Sequence, residues 1–273
     1  MIERKIDRVI FYAFLTFFIV LIGFPFFWQL SNSFKPEREI FDIKWLPEVP
    51  TWANYAAAFS RQPLFSFLMN SLIIAGFATL LALLFGSMTA YAIARTNIRG
   101  KKPLLLLILS ISLLPPIVII SPIYNIMRAL SLLNSHGGLI IVNMLFCLTL
   151  SVWFLTPYFN SVPTELEDSA SIDGASPFQC YTTIIMPIVA PGVFTVGILA
   201  FIQAWNEYLF ALVMNPIRVK TVTVGLKLYE ADNYIPWGPL MAASVVIIVP
   251  LIAVVMFLQR QIIGGIMSGG LKE

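Results

Sequence analysis

Histidine occurs once, at position 136, and cysteine twice, at 147 and 180. A single imidazole argues against a histidine-built metal site or a catalytic triad. The two thiols, one in an apolar run and one in a polar loop, have no metal-type spacing and read as buried or free thiols, not as a disulfide framework. Charge is scarce as well. Only 11% of the 273 residues are charged, against about 25% in soluble domains, so a fold surrounded by water is excluded. A net charge of +3 is too small to speak for nucleic acid as a partner. The phosphate-binding pattern Gly-x-x-x-x-Gly-Lys-[Ser/Thr] is missing throughout, so the chain carries no ATP site of that kind. What fills the space is hydrocarbon: 59% of residues are apolar and the mean hydropathy is +0.86.

Crossing ~30 Å of bilayer core at 1.5 Å per residue takes roughly 20 apolar residues in a helix. Six windows qualify, at about 9–30, 67–94, 104–127, 138–159, 188–214 and 240–258. The expected architecture is an all-α membrane protein, residues 1–273 forming a single transmembrane domain of six helices. The first window is read as a retained span, because its apolar core is too long for a cleavable signal and no small-residue cleavage site follows. Six spans put both termini on one side, with Arg4, Lys5, Arg8, Arg95, Arg99, Lys101, Lys102, Arg260 and Lys272. Eight cations face the other way, so the overall bias is slight. The clusters at 4–8 and 95–102 are sharper, and by the positive-inside rule they place the termini in the cytoplasm. Pro115 and Pro116 should kink or break the third span. Tyr124 to Leu133 then reads as a short amphipathic piece at the outer interface.

Residues 160–187 interrupt this pattern on the cytoplasmic side. The stretch 163–177 holds four carboxylates (Glu165, Glu167, Asp168, Asp173) and no lysine or arginine. Thr164 and Glu167 have the spacing of a capping box, with Ser161 before Pro163 as the competing start. The early acids suit the positive end of a helix dipole, and Gly174 suits its C-terminal stop. Ser176, Pro177 and Gln179 offer a second start. Two short helices hinged at Gly174 and Ala175 are expected, with small residues (Ser169, Ala170, Gly174, Ala175) that let another surface approach. A solvated hairpin whose acids only cap helices is the plain alternative. A carboxylate-based catalytic site lacks any nearby nucleophile or metal partner.

The run from Glu165 to Ala175, followed by Ile184, Met186, Pro187 and Pro191, resembles the Glu-Ala-Ala loop of ABC-importer permeases. That consensus reads Glu-Ala-Ala, three residues, Gly, nine residues, Ile, any residue, Leu-Pro. Here Asp168, Ser169 and Ala170 stand for Glu-Ala-Ala, Gly174 and Ile184 match, and Met186 replaces Leu. Pro50 to Tyr55, Asn70-Ser71, Ala90 to Arg95, Trp205 to Tyr208, Gln259-Arg260 and Gly269-Gly270 extend the likeness to the carbohydrate-uptake branch, similar to the smaller permease of maltose-type transporters. The resemblance implies a non-catalytic subunit of a prokaryotic plasma-membrane importer that moves a sugar or oligosaccharide inward by alternating access. It implies a second, homologous permease, two cytoplasmic ATPase subunits carrying ATP and magnesium, an extracytoplasmic solute-binding protein, and no cofactor on this chain. The implied ATPase-coupling residues are Glu165, Leu166, Glu167, Asp168, Ser169, Ala170, Asp173, Gly174 and Ala175.

Ionisable groups inside a span mark pathways or interfaces. Glu207 is the clear case, seven residues from Met214 and so about 10 Å into the bilayer. Gln203, Asn206 and Phe210 fall near it at helical spacing, a stripe of amides, carboxylate and ring suited to lining a sugar path. Structural hydrogen bonding to a neighbouring helix is the equal alternative. Asn70, Ser71, Tyr124 and Asn125 are weaker candidates near span ends. Trp28, Trp52, Trp205 and Trp237 read as interface anchors. A secondary, ion-coupled carrier is the competing functional class. It wants several intramembrane acids and two homologous halves, and only Glu207 meets the first condition.

Overall fold

The computed structural model describes residues 2–96, 99–230 and 234–269, with side chains described for Arg8 and, within these ranges, from Ile10 to Phe257. Gly270 and Lys272 lie outside the described residues. All regular structure among the described residues is helical: α1 (Ile2–Ser33), α2 (Ala53–Arg61), α3 (Leu64–Arg95), α4 (Lys101–Leu113), α5 (Pro116–Ala129), α6 (His136–Ser161), α7 (Glu165–Ile172), α8 (Pro177–Trp205), α9 (Leu209–Met214), α10 (Val222–Lys227) and α11 (Trp237–Gly269). Five helices are long and apolar enough to span a membrane, and α4 with α5 makes a sixth, broken crossing bent by 94°. The chain is an all-α membrane protein with six spans.

Two spans are broken, the third where its double proline predicts a break and the fifth where no proline announces one. In the third, Leu114 and Pro115 are extended (ψ near 128° at each), because proline has no N–H and forces the residue before it away from helical angles. The helix restarts with Pro116 at its first position and runs to Ala129, absorbing most of the segment expected as a separate interfacial piece. In the fifth, the helix stops at Trp205 and restarts at Leu209, so 188–214 is not one helix.

The chain divides into two compact units. One comprises residues 1–65 and 225–249. Its organising group is Lys35, which is fully buried. The Lys35 ammonium donates to the carbonyl of Lys44 at 2.7 Å and of Asp42 at 3.4 Å, and sits 4.4 Å above the Trp28 ring. Burial pushes the Lys35 pKa below its ordinary value, with Asp42 and Glu39 pulling the other way. The amide of Asn54 donates to the carbonyls of Ser33 (3.0 Å) and Lys35 (2.8 Å), tying α2 to the end of α1. The irregular stretch between α1 and α2 is thus an ordered structure wrapped on one cation.

The other unit comprises residues 66–224 and 250–273. Its core has two centres. One gathers Ala90, Leu155, Phe159, Tyr181, Ile185 and Val189 from α3, α6 and α8. The second gathers Ile74, Met127, Val142, Phe210 and Met214 from α3, α5, α6 and α9. Small residues set the spacing of these helices. A Cβ added to Gly86 on α3 would lie 2.6 Å from the Cβ of Ser151 on α6, and one added to Gly192 on α8 would meet the Tyr158 ring at 2.6 Å. Close backbone approach through small residues is how helices associate where lipid removes the usual hydrophobic drive.

Candidate functional site

The polar loop folds as a hairpin between α6 and α8. Its first arm is α7, which begins at Glu165 with Thr164 as an uncapped flank. The expected Thr164–Glu167 capping box does not form, because Glu167 has a stronger partner. The Glu167 carboxylate pairs with the Arg95 guanidinium from the last turn of α3 and accepts a 3.2 Å hydrogen bond from the Tyr91 hydroxyl. Arg95 also donates to the carbonyl of Val162 at 2.8 Å, where α6 ends. One cation thus hydrogen-bonds a helix-end carbonyl and neutralises a carboxylate.

Gly174 stops α7 in the left-handed region at φ +85°. The amide of Ala175 reaches back to the carbonyl of Ala170 (2.9 Å) and that of Gly174 to Ser171 (3.1 Å), a glycine-dependent stop that a residue with a Cβ would strain. The second arm starts as its spacing predicts. Ser176 Oγ accepts from the Gln179 amide, and the Gln179 side chain accepts from the Ser176 amide at 2.8 Å. This arm is not a separate short helix, however. It continues through a π-helical turn, Cys180–Ile185, into the fifth span. Tyr181 in that turn shares a 2.8 Å hydrogen bond with Ser87 of α3 and lies against Tyr91, ring centres 5.1 Å apart.

The nine residues read from sequence as the coupling set therefore part company. Ala170 is 6% exposed and belongs to the core, and Glu167 faces Arg95. Ala175 is half-buried against the same core. Glu165, Leu166, Asp168, Ser169, Asp173 and Gly174 are exposed. Two large apolar side chains outside the set are exposed beside them, Ile172 at 86% and Phe178 at 64%. Sequence reasoning passed over both, although a bare isoleucine and phenylalanine in a polar loop are the sort of signal that marks a contact surface.

The membrane-embedded candidates surround the break in the fifth span. Glu207 uses both carboxylate oxygens on the helix that follows: Oε1 accepts from the Phe210 amide at 2.7 Å and Oε2 from the Ala211 amide at 3.0 Å. The Thr223 hydroxyl donates to the Glu207 carbonyl at 2.7 Å. A carboxylate here supplies acceptors for amides freed by the break, which is costly to leave undone in lipid. Neither reading of Glu207 made from sequence described this local role. Glu207→Ala is expected to fray α9, whereas Glu207→Gln retains one acceptor and costs about 1 kcal/mol. Thermal unfolding in detergent of the two variants checks the order, and equal losses would remove the capping role.

A cavity of about 460 Å³ opens beside this break, lined by Gln203, Glu207 and Phe210 with Asn143, Phe146 and Tyr208. Pro116, Ile117 and Leu209 complete it, so the breaks in the third and fifth spans meet at one space. Non-helical backbone at membrane depth is tolerated where it lines such a cavity. Asn206 is exposed but not part of the lining, because the chain turns between Trp205 and Leu209. Asn143 was missed in the sequence, though an amide inside a 26-residue apolar helix was there to be seen. Asn70 and Ser71 serve the fold instead. Asn70 joins His136 (2.9 Å) and the carbonyl of Lys220 (3.0 Å), and Ser71 accepts from the Val222 amide. Trp205 is buried against Phe201 and is no interface anchor.

A family model described as binding-protein-dependent transport system inner membrane component matches residues 82–266, which takes in the hairpin and both breaks. The chain belongs to this family. The permease protein of a sulfoquinovosyl glycerol transport system from Agrobacterium fabrum is 41% identical over 252 residues, covering 91% of this chain and 88% of that protein. The trehalose transport system permease of Mycobacterium tuberculosis is 36% identical, covering 91% and 92%. The trehalose/maltose permease of Thermococcus litoralis is 33% identical, with 99% of each chain covered. In fold the chain is similar to a bacterial ABC transporter involved in importing the acidic polysaccharide alginate, with a TM-score of 0.78 at 22% identity over 94% of this chain and 97% of that one. As a permease of this family it is a multi-pass, non-catalytic component of its transport system.

Proposed function

We propose that the chain is a permease subunit of an ATP-driven importer for a sugar or oligosaccharide, working by alternating access. It would pair with a second, homologous permease above two cytoplasmic ATPase subunits that carry ATP and magnesium. A solute-binding protein would deliver the sugar from the other side, with both termini of this chain cytoplasmic. The observation that carries this reading is the hairpin: an ordered turn held firmly from behind, presenting Leu166, Asp168, Ser169, Ile172 and Phe178 outward. A rigid small-residue ridge flanked by apolar side chains is suited to a cleft in a partner protein. Sugar as cargo is supported by the named substrates of the relatives and by amides, carboxylate and aromatic rings around the cavity. Gln203 and Asn143 would offer hydrogen bonds there, and Phe146 and Tyr208 faces for sugar C–H groups.

An ion-coupled carrier without an ATPase is not favoured, since the relatives are permeases of multi-component transport systems. Cysteine at Ser169 is expected to cross-link to the ATPase subunit in the assembled complex, with a yield that changes when ATP binds. Cysteine at Ala170 is expected to react poorly, because that side chain is covered. Free access to Ser169 in the assembled complex would sink the docking assignment. ATP hydrolysis by the purified complex, measured with its binding protein and trehalose or maltose added, tests the cargo class.

A further inference from the structure

The hairpin is joined through the backbone to α6 and α8, but its strongest side-chain contacts go to α3, which is remote in sequence. Glu167 on the first arm pairs with Arg95 and accepts from Tyr91. Tyr181 on the second arm bonds Ser87. All three partners (Ser87, Tyr91, Arg95) lie on α3, four residues apart along one stripe of that helix. Both charged side chains are largely shielded, Arg95 at 11% and Glu167 at 19% exposure, so salt screens the pair little. Arg95 uses its planar fork to hold the Val162 carbonyl as well, a geometry lysine does not reproduce.

We infer that Arg95 and Glu167 form a clamp that makes the hairpin and the cytoplasmic end of α3 one rigid body, so that a push on the hairpin is delivered to the second span. Glu167 is then a positioning residue facing inward, not a contact of the ATPase. Each arm is pinned separately, the first by the ion pair and Tyr91, the second by Tyr181. A hairpin pinned on one arm alone would pivot under load and dissipate the displacement. Because α3 contributes Ile74 to the second core centre, beside Phe210 and Met214, motion of this helix also reaches the elements around the cavity.

This inference rests on the docking reading above, and its test separates the two. Spin labels are placed on cysteines at Ser169, on the exposed face of α7, and at Met88, exposed on α3. The full complex is reconstituted with the ATPase subunits, and the interlabel distance is measured without nucleotide and with ATP plus vanadate. The native chain is expected to give one narrow distance that ATP does not move. Glu167→Gln and Arg95→Met are expected to broaden the distribution and shift it by about 2 Å or more on ATP binding. The exchange variant Arg95→Glu with Glu167→Arg should narrow it again. A distance that shifts with ATP in the native chain, or stays fixed in both single variants, overturns the clamp. Failure of an unlabelled Ser169 cysteine to cross-link to the ATPase, in a complex prepared separately without spin labels, overturns the docking reading instead.

Discussion

Alanine at position 86 is expected to destabilise the protein by about 2 kcal/mol, a loss of about 5 °C in thermal midpoint for a chain of this size. The new methyl carbon would stand 2.6 Å from the Cβ of Ser151, well inside van der Waals contact. Neither atom can swing away, since each is fixed directly to its helix backbone. Relief requires α3 and α6 to part, and parting strips contacts from the helices on both sides. Leucine at the same site is expected to prevent accumulation of folded protein in the membrane. The proof of cause is a suppressor. Ser151→Gly removes the opposing carbon and should restore much of what Gly86→Ala loses, less the ~0.5 kcal/mol that glycine costs a helix relative to serine. Thermal scans of the two single variants and the double variant in detergent provide the cycle. Additive losses would show that the two helices do not meet at these carbons.

Lys35→Met is expected to release the loop between α1 and α2. Methionine keeps the volume of the stem, so packing survives, but the ammonium is lost from the carbonyls of Lys44 and Asp42 and from the Trp28 face. Hydrogen bonds from a charged donor are worth about 1.5–3 kcal/mol and a partly desolvated cation over tryptophan about 1 kcal/mol. A combined loss of about 3 kcal/mol raises the open population of the loop roughly a hundredfold, which protease cleavage reports when opening is rapid. Cleavage within residues 36–50 should therefore accelerate by about that factor, while spans remain protected. An unchanged cleavage rate would show that the loop is held by its remaining contacts, such as the Ser31 hydroxyl on the Trp45 carbonyl.

The spans were legible in the sequence because hydropathy is additive along a helix, and four of the six windows agree with the apolar spanning segments to within three residues at each end. The two broken spans were less so, for different reasons. Pro115 and Pro116 announce their break, and only its sharpness was hidden. The break at 206–208 has no proline. It exists because Glu207 can cap the helix beyond it, which a hydropathy window reads only as one polar residue among apolar neighbours. The hairpin shows a similar limit. Gly174 and the Ser176–Gln179 box are local signals and fold as read. The Thr164–Glu167 box is an equally good local signal, and Arg95, 72 positions earlier in the chain, takes the carboxylate away from it. Likewise the burial of Ala170 depends on Phe159 and Tyr181, which no spacing rule within the loop can anticipate.

The π-helical turn at Cys180–Ile185 has a geometric meaning that goes beyond its contacts. Such a turn holds one residue more than an α-turn, and each residue of an α-helix advances the side-chain direction by about 100°. The surplus residue is lodged in the bulge, so the helix beyond it keeps the phase of an α-helix one residue shorter. Deleting one residue from Cys180–Ile185 is expected to convert the turn to α geometry and leave Gln203 facing the cavity. A deletion in the regular helix after Met186 would instead turn everything beyond it by about 100°. The bulge is thus the one place in this helix where the residue count can change without reorienting the chemistry at mid-membrane.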